Sequence, residues 1–323
     1  MGGVNQLFEN WKIAIIGAGV QGHSIGLEYA LHGFDTTIVD MTQAALDNAR
    51  KLVATAADTL SLMEEITQET AEAAQKRITY TTDLAAAVSQ ANVIQEAVFE
   101  NADVKKSIFA EIAKSCPPDA ILASNTSTLN IFEIVDVPNP GRLAIVHWCT
   151  PPYIMPLVEI VRGPQITDET VNTLKELLLY LGKKPAVVNQ VIPGFILNRI
   201  GLAIFREACY IAGQGWATPE DVDAALKNTY GIRWPFEGPL ELRDYIGWDV
   251  SLSVGSFVIP HLCNSTKAVG TAVELTQKGW LGTKTGRGLK DYTGVDIAKV
   301  LKERNTKILK MKKVARQLNE DFS

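Results

Sequence analysis

His147 closes the apolar run RLAIVH and opens the segment HWCTPPYIMPLVE, which ends on Glu159 twelve residues later. An imidazole titrates near neutral pH and so can take a proton from a hydroxyl group. Pro151 and Pro152 stop the strand from continuing, because proline lacks the N–H a sheet ladder needs. The chain must turn, and LVEIV can return beside RLAIV. Glu159 would then reach the far ring nitrogen, fix the tautomer and stabilise the imidazolium. The residues alone leave a second reading open: a structural histidine at a strand end and a glutamate facing solvent.

A second group of residues supplies the partner for such a base. IAIIGAGVQGHSIG places Gly17, Gly19 and Gly22 after an apolar strand and at the start of a helix. In the dinucleotide fingerprint the first glycine makes the tight turn, the second lets a pyrophosphate approach, and the third lets helix meet strand. The pyrophosphate sits on the positive end of the helix. Asp40 ends the next strand, TTIVD, 23 residues after Gly17. A carboxylate there accepts both ribose hydroxyls and repels a 2′-phosphate, which selects NAD over NADP. His147 is then the base that takes a hydroxyl proton as hydride leaves. His23 is expected on the helix surface, and His32, just before the helix stop at Gly33, is assigned no chemistry.

The elements that must position these residues follow from pattern. β-rich runs KIAIIGA, TTIVD, ITYTT, NVIQEAV, AILASNT, RLAIVHW and KPAVVNQ alternate with helical segments such as 20–32, 102–115 and 167–181. Such alternation predicts a parallel sheet with helices on both faces. Residues 42–77 are long enough for a helical hairpin between the second and third strands. After Pro193-Gly194 helical periodicity takes over. The expectation is an α/β Rossmann-like N-terminal domain (1–190) with an inserted helical hairpin, followed by an all-α C-terminal domain (191–323). The last segment, 296–323, reads as an amphipathic helix with an apolar stripe of Leu301, Ile308, Met311, Ala315 and Leu318.

Composition narrows the class. With 323 residues, 46% hydrophobic and 21% charged, the chain can bury a core of ordinary size. A net charge of −5 argues against a general nucleic-acid binder. The start MGGVNQLFENWK has no secretory pattern, and Gln6 breaks the myristoylation pattern. No run approaches the roughly 20 apolar residues of a membrane helix. Cys116, Cys149, Cys209 and Cys263 are scattered without CxxC or histidine at ligand spacing. They read as free thiols of a cytoplasmic protein with no metal site.

The chain resembles the L-3-hydroxyacyl-CoA dehydrogenase family over residues 11–292. That family's G-x-G-x-x-G is followed by V-E-N, N-T-S-S, H-F-x-N-P-x-x-x-M-x-L-V-E and P-G-F-x-x-N-R. Here these read FEN at 99–101, NTST at 125–128, HWCTPPYIMPLVE at 147–159 and PGFILNR at 193–199. GPLELRDYIGWD at 238–249 and GRGLKDY at 286–292 continue the match. The resemblance implies His147 as general base, Glu159 as its orienting partner, and Ser127 and Asn198 on the substrate oxygen. It places Glu100 and Lys105 beside the nicotinamide, although Lys105 also reads as a solvent-facing helix lysine. Val20, Ala97 and Asn125 join Gly17, Gly19, Gly22 and Asp40 as implied cofactor contacts. A homodimer is implied as well.

Three departures bear on the substrate. Thr150 replaces the asparagine three residues after the histidine, a position near the reacting centre. Between Lys51 and Lys76 the hairpin has no Lys or Arg but carries Asp58, Glu64, Glu65, Glu69 and Glu72. That sign repels a polyanion such as CoA. GIRWPFEGP (231–239) is similar to a stretch of L-gulonate and L-carnitine dehydrogenases, which act on free hydroxy acids, and makes Arg233 a fork for a substrate carboxylate. The HWCTPPYIMP stretch is likewise similar to that of a vitamin B6-degradation dehydrogenase. The expected substrate is a small free hydroxy acid. The alternatives are the CoA ester itself, or a non-catalytic NAD-binding protein.

Overall fold

The computed structural model describes residues 7–321; the start sequence through Gln6 and residues 322–323 lie outside the described residues. The chain divides into two compact units, Met1–Asn198 and Arg199–Ser323.

The first unit opens with β1 (Lys12–Ile16), α1 (Gly22–Leu31) and β2 (Asp35–Val39). The expected hairpin follows as α2 (Gln43–Leu62) and α3 (Gln68–Lys76), and β3 (Ile78–Thr81) returns to the sheet. Thr42 and Thr67 start the hairpin helices, their hydroxyls accepting from the N–H of Ala45 and Thr70. Each such cap satisfies an orphan donor for about 1 kcal/mol. Then come α4 (Leu84–Val88), β4 (Val93–Glu96), α5 (Ala102–Ile112), β5 (Ile121–Ser124) and α6 (Ile131–Ile134). The unit's last sheet segment is β6 (Leu143–Trp148), β7 (Leu157–Val161), α7 (Asp168–Tyr180) and β8 (Lys184–Val188).

The eight strands form one sheet in the order β3-β2-β1-β4-β5-β6-β7-β8. Six strands are parallel, as expected; β7 pairs antiparallel with β6, and β8 runs parallel to β7. The parallel reading therefore fails for KPAVVNQ. The eight residues 149–156 between β6 and β7 are too few for a crossover helix, so only an antiparallel return is open to the chain. Alternation along β1 sends Ile13 and Ile15 into one core and Ala14 and Ile16 into the other. The first core includes Ile25 and Leu27 of α1 and Leu174 and Leu177 of α7. The second includes Phe109 and Ile112 of α5. Each such fully buried side chain contributes about 1.5–3 kcal/mol.

The two units divide after Asn198, so the PGF turn lies on the side of the first unit. Phe195 is buried in the second core, and the backbone N–H groups of Ile196 and Leu197 donate to Glu159. These bonds attach the PGF turn to the first unit. Phe195 has φ +50°, a region unfavourable for an aromatic residue, which its burial must offset.

The second unit is helical. It contains most of α8 (Leu197–Gly213), then α9 (Pro219–Lys227), α10 (Tyr230–Arg233), α11 (Glu241–Ile246), α12 (Trp248–Val258), α13 (Thr271–Gln277) and α14 (Ile297–Asp321). Along α14, Leu301 and Met311 of the expected stripe are exposed, whereas Leu309, outside that stripe, is fully buried. No described helix is long and apolar enough to cross a membrane.

Candidate active site

The glycine turn joins the ends of β1, β2 and β4. Gly17 has φ +106°, and a Cβ there would lie 2.6 Å from the Ala97 carbonyl oxygen. A Cβ on Gly22 would lie 1.7 Å from the Gly17 carbonyl oxygen, so no other residue fits. Gly19 differs: its Cβ would meet no protein atom within 4 Å. The room that Gly19 preserves is therefore not used by the protein, which is what the approach of a pyrophosphate requires. Asp40 stands directly after β2. Its Oδ2 accepts from the Ala18 N–H at 2.8 Å and its Oδ1 from the Met41 N–H at 2.8 Å. The carboxylate is thus held against the turn, where a dinucleotide's ribose would lie. Val20, 68% exposed, projects from the same turn. His23 is not a helix-surface residue as expected: it is buried, with Nδ1 2.9 Å from the Gly19 carbonyl, and desolvation lowers its pKa. The α1 face that carries it packs inward rather than to solvent.

A buried ionic hub lies at the ends of β4 and β5. Lys105 of α5 is 1% exposed, which removes the solvent-facing reading. Its Nζ donates to Glu96 Oε1 at 2.6 Å and lies 3.3 Å from Glu100 Oε2. Glu96 is fully buried and also accepts from the Val98 N–H at 2.8 Å and from the Ser124 hydroxyl. Buried charges of this kind are tolerated only when paired and hydrogen-bonded. Glu100 Oε1 gathers the NTST loop, accepting from the hydroxyls of Thr126, Ser127 and Thr128 at 2.8–3.3 Å. It also accepts from the N–H groups of Ser127 and Thr128 at 2.9 and 3.0 Å. Burial works to raise the Glu100 pKa, but these donors and the Lys105 ammonium outweigh it and hold the carboxyl at about 2. Ser127 and Glu100 are thereby brought together. Sequence reasoning missed Glu96, Ser124 and Thr126. Their signal was polar residues at the ends of the apolar runs NVIQEAV and AILASNT.

The opening pair of residues meets as expected. In the β6–β7 ladder His147 is directly opposite Glu159. Nδ1 lies 2.8 Å from Glu159 Oε2. A carboxylate only accepts, so Nδ1 carries the proton and the neutral ring presents Nε2 as a free acceptor. The other carboxylate oxygen, Oε1, accepts from the N–H groups of Ile196 and Leu197 at 2.8 and 3.0 Å. Burial acts to raise the Glu159 pKa; His147 and those two N–H groups prevail and lower it. The Phe195 ring lies 5.6 Å from the imidazole, centroid to centroid. Asn198 is the next residue after Leu197, in the first turn of α8. Asn125 Oδ1 accepts from the Trp148 N–H at 2.8 Å, tying the end of β5 to the residue beside His147. Thr150 follows, its hydroxyl accepting from the Gln21 side chain. The Thr150–Pro151 peptide is cis. Cys149 is buried; desolvation and the Glu159 charge push its thiol up to about 12, so it is no nucleophile. Arg233, at the end of α10, is an exposed residue of the second unit. Among the described residues no cluster of three or more His, Cys, Asp or Glu can hold a metal ion.

Comparison with known proteins gives the family. Residues 12–191 match the family description "3-hydroxyacyl-CoA dehydrogenase, NAD binding domain", and residues 194–292 match its "C-terminal domain". The chain is 30% identical over 304 residues to 5-formyl-3-hydroxy-2-methylpyridine 4-carboxylate 5-dehydrogenase of Mesorhizobium japonicum, covering 94% of this chain and 97% of that one. A crystal structure of such a dehydrogenase, described as an NAD+-dependent dismutase, superposes with a TM-score of 0.87 at 29% identity, covering 94% of this chain and 98% of that one. The 3-hydroxyadipyl-CoA dehydrogenase of Escherichia coli is 36% identical over 87% of this chain, which spans 58% of that longer protein. An L-carnitine dehydrogenase of Streptomyces griseus is 32% identical, over 71% of this chain and 68% of its own. Matched in both units, with the dinucleotide turn intact, the chain belongs to the 3-hydroxyacyl-CoA dehydrogenase family and is an NAD-dependent dehydrogenase acting on a CH–OH group.

Proposed function

We propose that this dehydrogenase reversibly oxidises the secondary alcohol of a small, free hydroxy-carboxylate, with His147 as its general base. The observation that carries this reading is the 2.8 Å contact of His147 Nδ1 with Glu159, whose second oxygen is itself pinned by two backbone N–H groups. NAD, when bound, accepts the hydride. His147 Nε2 takes the hydroxyl proton, and the Glu159 charge stabilises the resulting imidazolium. Ser127 and Asn198 contact the substrate oxygen, with Thr150 bordering the same centre. Glu100 and Lys105 form the wall on the nicotinamide side, joined by Val20, Ala97 and Asn125 as cofactor contacts. The protein works as a homodimer; the exposure of Leu252 (72%) and Phe257 (75%) on α12 supports that.

Three features support a free acid. Asp58, Glu64, Glu69 and Glu72 are exposed on the α2–α3 hairpin, a surface that repels CoA phosphates. One relative matched over 97% of its length is named for a pyridine carboxylate, and another for carnitine, although 3-hydroxybutyryl-CoA dehydrogenases are matched over 96–100% of theirs. Arg233 is then the residue to hold the substrate carboxylate by a charge-assisted bond. The second reading, a CoA thioester, is favoured by the 36% identity to the 3-hydroxyadipyl-CoA enzyme.

The deciding experiment compares kcat/KM for a hydroxy acid with that for its CoA thioester, in wild type and in Arg233→Met. On the free-acid reading the acid is preferred and Arg233→Met raises its KM, since a desolvated carboxylate without its partner costs on the order of 2–5 kcal/mol. Arg233→Lys keeps the charge but loses the planar fork, so its smaller loss is mainly in KM. A wild-type preference for the thioester, unchanged in Arg233→Met, would sink both the free acid and the role of Arg233.

A further inference from the structure

The eight residues between β6 and β7, CTPPYIMP, include three prolines. Proline has a carbonyl but no N–H, so this turn has fewer donors than acceptors of its own. The Pro151 carbonyl accepts from the N–H groups of Ile154 and Met155, both at 2.9 Å. The carbonyls of Pro152, Met155 and Pro156 are served from outside, by two consecutive residues where β8 begins. The Lys184 N–H donates to the Pro156 carbonyl at 2.8 Å. The Lys183 Nζ donates to the Pro152 carbonyl at 2.8 Å and, more weakly, to that of Met155 at 3.4 Å.

Lys183 is only 4% exposed, and so is almost wholly withdrawn from water. Its counter-ion is the equally buried Glu28 of α1, whose Oε1 lies 2.9 Å from Nζ. The Trp148 ring, next to His147 in β6, has its centroid 5.7 Å from the same Nζ. A further bond joins α1 to the turn: the Ser24 hydroxyl accepts from the Tyr153 N–H at 3.3 Å. An apolar pair of similar volume is often as stable as a buried ion pair, or more so. What only the ammonium supplies is a set of donors that grip the turn while a carboxylate of the cofactor helix holds the ammonium in place. That turn joins the strand of His147 to the strand of Glu159.

We propose that Glu28 and Lys183 are positioning residues: they fix the turn after His147 against the helix of the glycine turn, and so set the place of the base relative to the bound dinucleotide. The inference rests on His147 as the general base and is independent of which hydroxy compound is oxidised. Misplacement by about 1 Å can cost about 100-fold in rate; a loosened turn should cost about tenfold.

The test compares Lys183→Met, the double variant Glu28→Leu/Lys183→Met and His147→Ala in the full chain. Lys183→Met strands a buried carboxylate and should melt about 5–10 °C below wild type. The double variant removes both charges and should recover at least half of that loss. Turnover should not recover with it. In both variants kcat should fall about tenfold, with KM and the NADH Kd within about twofold. The probe is 3-hydroxybutyrate or its CoA thioester, whichever the wild type oxidises faster. Without substrate, the His147 Nδ1–H proton is followed by NMR and assigned by its absence in His147→Ala. In the double variant it should exchange with water at least about tenfold faster than in wild type. Wild-type kcat or wild-type exchange in the double variant would mean that the pair only stabilises the fold, and overturns the proposal. Near-normal turnover in His147→Ala overturns the base assignment and this proposal with it. An inactive His147→Ala beside a fully active double variant overturns the positioning role alone.

Discussion

Glu159→Gln is the substitution that separates a catalytic pair from a packing pair. Glu159 is fully buried, and its two oxygens have different duties: Oε2 receives His147 Nδ1–H, and Oε1 receives two backbone N–H groups. Glutamine has one oxygen for both. If that oxygen stays with Ile196 and Leu197, the amide NH2 faces His147 and donates to Nδ1. The imidazole must then carry its proton on Nε2, and the nitrogen that should accept the hydroxyl proton is blocked. If the amide turns over, Nδ1–H keeps its acceptor but two N–H groups face an NH2 and lose theirs, at about 1–3 kcal/mol each. The first arrangement is the cheaper one, so the wrong tautomer dominates. The same exchange in a serine-protease triad costs about 10,000-fold in kcat. Here the expected loss is about 100- to 10,000-fold, or roughly 2.7–5.5 kcal/mol of transition-state stabilisation.

The assay is steady-state oxidation followed at the NADH absorbance, with NADH affinity measured separately. Affinity should hardly change, because Glu159 lies in the β6–β7 ladder and not in the glycine turn. The acid limb of kcat/KM should move to lower pH, since the imidazolium loses its neighbouring charge. Stability supplies a second readout. Glu159 has a lowered pKa in the fold, so its contribution is present above the ordinary carboxylate range and is lost as pH falls through the lowered value. The stability gap between wild type and Glu159→Gln should be widest near neutral pH and close in acid. A variant within about threefold of wild-type kcat, with an unmoved pH profile, would refute the role of the pair.

Two further predictions concern neighbouring groups. His147→Ala should lose about 100- to 10,000-fold in turnover while NADH affinity stays within about twofold, and near-normal turnover would remove His147 from the chemistry. NAD should bind much more tightly than NADP, and Asp40→Ala should narrow that preference while weakening both, because Oδ2 also holds the Ala18 N–H; equal wild-type dissociation constants for the two would displace Asp40 from the ribose.

Much of this protein is written in local rules that the sequence obeys by itself. Strand–turn–helix with glycines at 17, 19 and 22 is a backbone requirement: a Cβ at Gly17 or Gly22 would strike main-chain atoms. Asp40 had to follow β2, and the proline pair had to turn the chain so that Glu159 came back beside His147. The distance along the chain is short there, and register is set by the turn. What tertiary structure alone decided involves partners far apart in sequence. Glu96 and Lys105 read as separate charges on a strand and a helix until the sheet buried both and made each the other's counter-ion. The PGF turn read as the start of a second domain, yet the carboxylate of Glu159 captures its N–H groups from 37 and 38 residues away. Gln21 and Thr150, 129 residues apart, meet only because β1 and β6 lie in one sheet with α1 packed across it. No propensity or spacing encodes such contacts, because the free energy that selects them comes from burying whole faces of sheet and helix. The polar groups carried inside by that burial must then find partners where the fold has put them.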